Sequence, residues 1–88
     1  MIVEVEQRHI DNGSPYIASK CPIALALKEQ GYETVSVGAY RVMLRDATDV
    51  LNRWYDLPEE AKKFIMDFDA GEKVEAIKFN ITKTKDWR

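Results

Sequence analysis

An 88-residue chain with 45% hydrophobic and 32% charged residues is expected to form one globular domain over residues 1–88, and its composition is not that of a disordered chain. Its formal charge of −2 lacks the basic footprint that duplex nucleic acid calls for, and is too small for an acidic nucleic-acid mimic. A single cysteine excludes an intrachain disulfide and every cysteine-rich zinc pattern.

Val3 and Val5 alternate with Glu4 and Glu6, which predicts a first strand over about residues 2–6. Gln7 to Asn12 then closes on Gly13 as turn chemistry or a short helical turn. Residues 14–20 read as a loop. Pro22 suits the first turn of a helix, Ser19 stands upstream as a candidate cap, and Gly31 can end the helix in the left-handed conformation. Ile23 to Leu27 are all apolar, so this short helix must be buried on more than one side. Thr34–Val37 and Tyr40–Arg45 are β-rich around Gly38-Ala39 and predict a hairpin. Asp46 to Asp49 breaks the pattern before a further strand over Val50–Tyr55.

Pro58-Glu59-Glu60 opens a second helix, with proline at the start and acidic residues where the helix dipole favours them. Ala61, Phe64, Ile65 and Phe68 form its apolar face, and Ala70-Gly71 ends it. Val74–Ile81 reads as the last strand, and Lys83–Arg88 as a polar C-terminal tail carrying Trp87. The order β-α-β-β-β-α-β predicts an α+β fold, with a mostly antiparallel sheet of four to five strands and two helices on one face.

No catalytic signature is present. Cys21 stands at a helix N-terminus beside Lys20, both of which lower a thiol pKa, but nothing places the single histidine, His9, against it. A small cysteine-dependent enzyme is the alternative class, and a nucleic-acid-binding regulator the third. No metal-ligand spacing and no phosphate-cradling glycine loop occurs, so neither metal nor cofactor is expected. A binding site is the better reading. Ser19, Lys20 and Cys21 stand at free helix N–H groups, which favour anions. Arg41 and Arg45 share one strand face, and Arg53 follows beside Trp54 and Tyr55, a set suited to a phosphate with a stacked base. On an exposed sheet face such arginines more ordinarily solvate the surface and pair with Asp46, Asp49 and Asp56.

Met1 to Glu6 has no basic stretch and no long apolar run, and no segment approaches the ~18 apolar residues of a membrane span. No membrane association and a cytoplasmic location are expected. The large aromatics of so small a domain predict a homo-oligomer, most simply a dimer, meeting at Val50–Tyr55 as an edge strand or around Trp87.

The spellings H-I-D-N-G at His9–Gly13, C-P-I-A-L-A-L at Cys21–Leu27 and L-P-E-E-A-x-x-F-I-x-x-F-D-A-G at Leu57–Gly71 resemble an uncharacterised family of small proteins from bacteriophages and some bacteria. The resemblance spans most of the chain and transfers no catalytic residue. It implies a phage accessory protein in the host cytoplasm. Such a protein would antagonise host defence by sequestering a phosphate-bearing signal nucleotide or by blocking a host defence protein.

Overall fold

The computed structural model describes residues 1–46 and 52–84. The start of the strand expected at Val50, most of the Asp46–Asp49 break, and Trp87 with most of the tail lie outside the described residues.

The chain folds as an α+β domain, and among the described residues every strand pairing is antiparallel. In chain order the elements are β1 (Ile2–Val5), α1 (Gln7–Asn12), α2 (Pro22–Glu29), β2 (Thr34–Val37), β3 (Arg41–Arg45), β4 (Arg53–Asp56), α3 (Glu59–Asp69), β5 (Ile77–Asn80) and β6 (Thr82–Lys83). The strands divide into two sheets, β1-β5 and β2-β3-β4-β6. The division occurs at Ile81, which is buried between β5 and β6 and lets one extended segment serve both sheets. Its N–H donates to the Met1 carbonyl at 2.8 Å, which ties the junction to the start of β1.

The last strand thus begins at Ile77, three residues later than the valine pattern predicts. The residues after Gln7 form a full helical turn. There Glu6 accepts a bond from the backbone of His9, while His9 Nδ1 accepts the Glu6 N–H at 2.9 Å. This reciprocal cap needs a glutamate and a histidine three apart, a variant of the usual capping box.

α2 contacts β1 and β2, one strand from each sheet, so it is covered from several sides. Pro22, Ile23, Ala24, Ala26 and Leu27 are accordingly buried. Ile23, Ala24, Ala26 and Leu27 join Val3, Val5, Val35, Val42, Leu44, Phe79 and Ile81 in a single core, to which α3 adds Ala61 and Phe64. Both predicted glycine stops are realised. Gly31 (φ +115°) and Gly71 (φ +82°) are left-handed. After α3, Glu72 N–H donates to the Asp67 carbonyl at 2.8 Å and Gly71 N–H to that of Phe68 at 3.1 Å, the bond pair of a Schellman motif.

Ser19 is not the cap of α2. That position belongs to Cys21, with Pro22 at the first turn. The Ser19 carbonyl instead accepts a bond from Lys28 Nζ at 2.7 Å. Of the edge strand expected at Val50–Tyr55, the described part, β4, pairs with β3 along its length and with β6 at Tyr55 and Asp56.

Candidate functional site

The loop before α2 is pinned along its length. Ser14 N–H donates to the Lys20 carbonyl, Lys20 N–H to that of Ile17, and the edge-strand Val37 N–H to that of Ala18 at 2.9 Å. Tyr16 N–H donates to the Asp69 carboxylate of α3 at 2.9 Å. Tyr16 adopts φ +63°, a backbone conformation that is strained for a tyrosine. The Asp69 bond and the surrounding loop bonds hold it there.

This fixed loop, the β2–β3 turn and α3 enclose a groove of about 750 Å³. Val37, Cys21 and Ile65 line it together with Tyr16, Ile17, Tyr40 and Met66. The last four are conspicuously exposed, at 78%, 45%, 70% and 69%. The described residues hold only two other exposed large hydrophobics, Ile2 and Trp54, so exposed apolar surface is concentrated here. The Leu57 N–H fixes the Tyr40 carbonyl at 3.0 Å, and Lys62 Nζ lies 5.5 Å from the centre of the Tyr40 ring. The charges in the groove are balanced and engaged. Lys62 pairs with Glu59 at 3.1 Å and Lys63 with Asp67 at 2.7 Å.

Of the residues expected at the helix N-terminus, only Cys21 reaches this groove. It is 6% exposed. Burial pushes its thiol above the ordinary range, and the Asp69 carboxylate adds to this against the opposing amides of Ala24 and Ile23. Burial therefore outweighs the helix terminus that the sequence offered as a cause of lowering. Iodoacetamide at pH 7 is expected to alkylate Cys21 at least ~10 times more slowly in the folded protein than in urea. Equal rates would count for a reactive cysteine.

His9 sits at the other end of α2. Its Nε2 lies 3.1 Å from the carboxylate of Glu29, the last residue of that helix. Eight residues of helix separate this point from Cys21, roughly 12 Å, so the chain's one histidine is no base for its one cysteine. The His9 contact belongs to a surface cluster in which Arg8 engages Glu29 through both terminal nitrogens and Glu6 through Nε at 2.9 Å. Arg8, followed by His9, holds the Glu29 carboxyl below the usual carboxylate range. The cluster ties α1 to α2, and none of its residues lines the groove.

The expected arginine–aromatic set is split across the sheet. In the register Arg41↔Asp56, Val42↔Tyr55, Met43↔Trp54 and Leu44↔Arg53, Val42 and Leu44 are buried. Tyr55 and Arg53 therefore share the core side of the strands, while Trp54 lies on the outer face with Arg41 and Arg45. Tyr55 packs against the core. None of the three arginines lines the groove.

Tyr16, Ile17, Tyr40 and Met66 were not singled out from the sequence. A signal existed: Met66 is an apolar residue off the Ala61-Phe64-Ile65-Phe68 stripe, and Tyr16-Ile17 is an apolar pair in a loop. Among the described residues no helix is long and apolar enough to cross a membrane, and no group of three or more His, Cys, Asp or Glu side chains could hold a metal ion. No family model, curated protein or solved structure matches the chain.

Proposed function

We propose that this chain is a non-catalytic binding protein, a phage accessory factor of the kind its motifs resemble, and that it blocks a host defence protein by seating one of that protein's apolar segments in the groove. The observation that carries this reading is the convergence of four exposed apolar side chains on one rigid-walled cleft. Contiguous exposed apolar surface rimmed by charge is the mark of an interaction site, and tyrosine and methionine are enriched at such contacts. The pinned backbone presents Tyr16 and Ile17 with a smaller ordering penalty than a mobile loop would pay. A protein segment fits the groove better than a phosphate-bearing ligand does, since Lys62 and Lys63 both pair with carboxylates and the lining carries Glu59 and Asp69 as well.

Bacterial extract passed over the immobilised protein, with retained proteins identified by mass spectrometry, tests this. The double variant Tyr40→Ala/Met66→Ala removes exposed side chains only and leaves the core intact. It is expected to lose at least ~10-fold in retention of one specific protein, as hot-spot truncations do. Equal retention by the variant would refute the groove as the site. Self-association through the same patch, the dimer expected from the sequence, would instead appear as a doubled mass by light scattering that the double variant abolishes.

A further inference from the structure

The outer face of the four-stranded sheet carries a second arrangement, separate from the groove. Trp54 is 51% exposed at the centre of that face. Met43 lies directly opposite it on β3, so Arg41 and Arg45 are its two diagonal neighbours on that strand. Such diagonal positions are roughly 7–8 Å apart, within reach for an arginine and an indole. Each arginine is also steadied by a neighbour. Arg41 Nε donates to Asp56 at 3.2 Å, and Asp56 in turn accepts the Thr84 hydroxyl at 2.8 Å. Arg45 donates to the Thr34 hydroxyl at 3.4 Å. The result is an exposed indole flanked at its diagonal positions by two arginines, one of them paired with a carboxylate.

We propose that this face binds a free nucleoside di- or triphosphate, its base stacked on Trp54 and its phosphates held by Arg41 and Arg45. The chemistry selects this occupant on three counts. An indole face takes any base, and worthwhile stacking needs one exposed ring per base. Guanidinium forks match phosphate oxygens in pairs, and two arginines complement the charge of a polyphosphate. A nucleic-acid strand fits less well, because strand-tracking sites line up several aromatics along a basic groove. Among the described residues this face offers one aromatic, and the chain is net acidic.

The test is calorimetric titration of the whole protein with adenosine diphosphate and guanosine diphosphate, beside adenosine alone, pyrophosphate alone and a single strand of about ten nucleotides. Saturable binding at millimolar concentration or tighter is expected for the diphosphates, with adenosine and pyrophosphate each at least ~10-fold weaker. Arg41→Ala/Arg45→Ala and Trp54→Ala are each expected to weaken it by ~10-fold or more. Where Trp54→Ala unfolds the sheet, Arg41→Lys/Arg45→Lys carries the test, since it keeps charge and loses only the paired fork. Tyr40→Ala/Met66→Ala should leave nucleotide binding unchanged, which separates this site from the groove. The proposal fails if no nucleotide binds at about 5 mM, if binding survives loss of both arginines, or if the single strand binds more tightly than the diphosphates.

Discussion

Replacing Leu27 with alanine is expected to lower the unfolding free energy by about 2–5 kcal/mol, the range for large-to-small changes in a packed core. Leu27 is fully buried on a helix that touches a strand of each sheet. Its removal therefore opens a cavity where the two sheets and α2 meet, and none of these can move in without disturbing another. A domain of this length has only roughly 4–13 kcal/mol in total, at ~0.05–0.15 kcal/mol per residue. The variant should consequently be marginal or unfolded at 37 °C. Leu25→Ala is the control: it is the only residue between Pro22 and Leu27 that is not fully buried, and it should lose less than half as much. Urea denaturation followed by far-ultraviolet circular dichroism measures both. Similar midpoints for the two variants would mean that α2 is not the centre of the core.

The same helix shows what a sequence of this kind reveals. Five apolar residues in a row between a proline and a glycine leave no polar face, so burial on several sides follows from the 3.6-residue period alone. The Ala61-Phe64-Ile65-Phe68 stripe and the two left-handed glycines were legible for the same reason, because local chemistry dictates them. Long-range pairing was not. Nothing in Val74–Ile81 announces that the strand turns from one sheet to the other at Ile81, because that division depends on partners far away in sequence. The arginine–aromatic set was only partly legible, for a related reason. Arg53, Trp54 and Tyr55 are neighbours in sequence, yet alternation sends Trp54 to one side of the sheet and its two neighbours to the other. The groove joins Tyr16, Tyr40 and Met66 from three separate segments, and no spacing rule connects them.

Gly13→Ala is expected to destabilise the protein by about 1–3 kcal/mol, as overpacking does, although an alanine suits the backbone there. Gly13 has φ −78°, open to any residue, so this glycine is not needed for a left-handed turn. Its role is steric. A Cβ at this position would lie 2.7 Å from Cδ, 2.8 Å from Cγ and 2.9 Å from the backbone nitrogen of Pro22. The end of α1 thus rests directly on the first residue of α2. The glycine of H-I-D-N-G and the proline of C-P-I-A-L-A-L are two halves of one contact. Two of the three clashes are with proline side-chain carbons that alanine lacks, so Pro22→Ala should partly rescue Gly13→Ala, with a favourable coupling between them of at least ~0.5 kcal/mol in a double-mutant cycle. The backbone nitrogen remains, and so does part of the loss. Additive effects would show that the helices do not meet at this point. A stable Gly13→Ala protein, unfolding within about 0.5 kcal/mol of the parent as ordinary surface changes do, would show that α1 can shift away freely. In that case the loop leading to Tyr16 would not be held from its α1 end, and the rigidity of the groove wall would rest on the Asp69 and Val37 bonds and the loop's own hydrogen bonds.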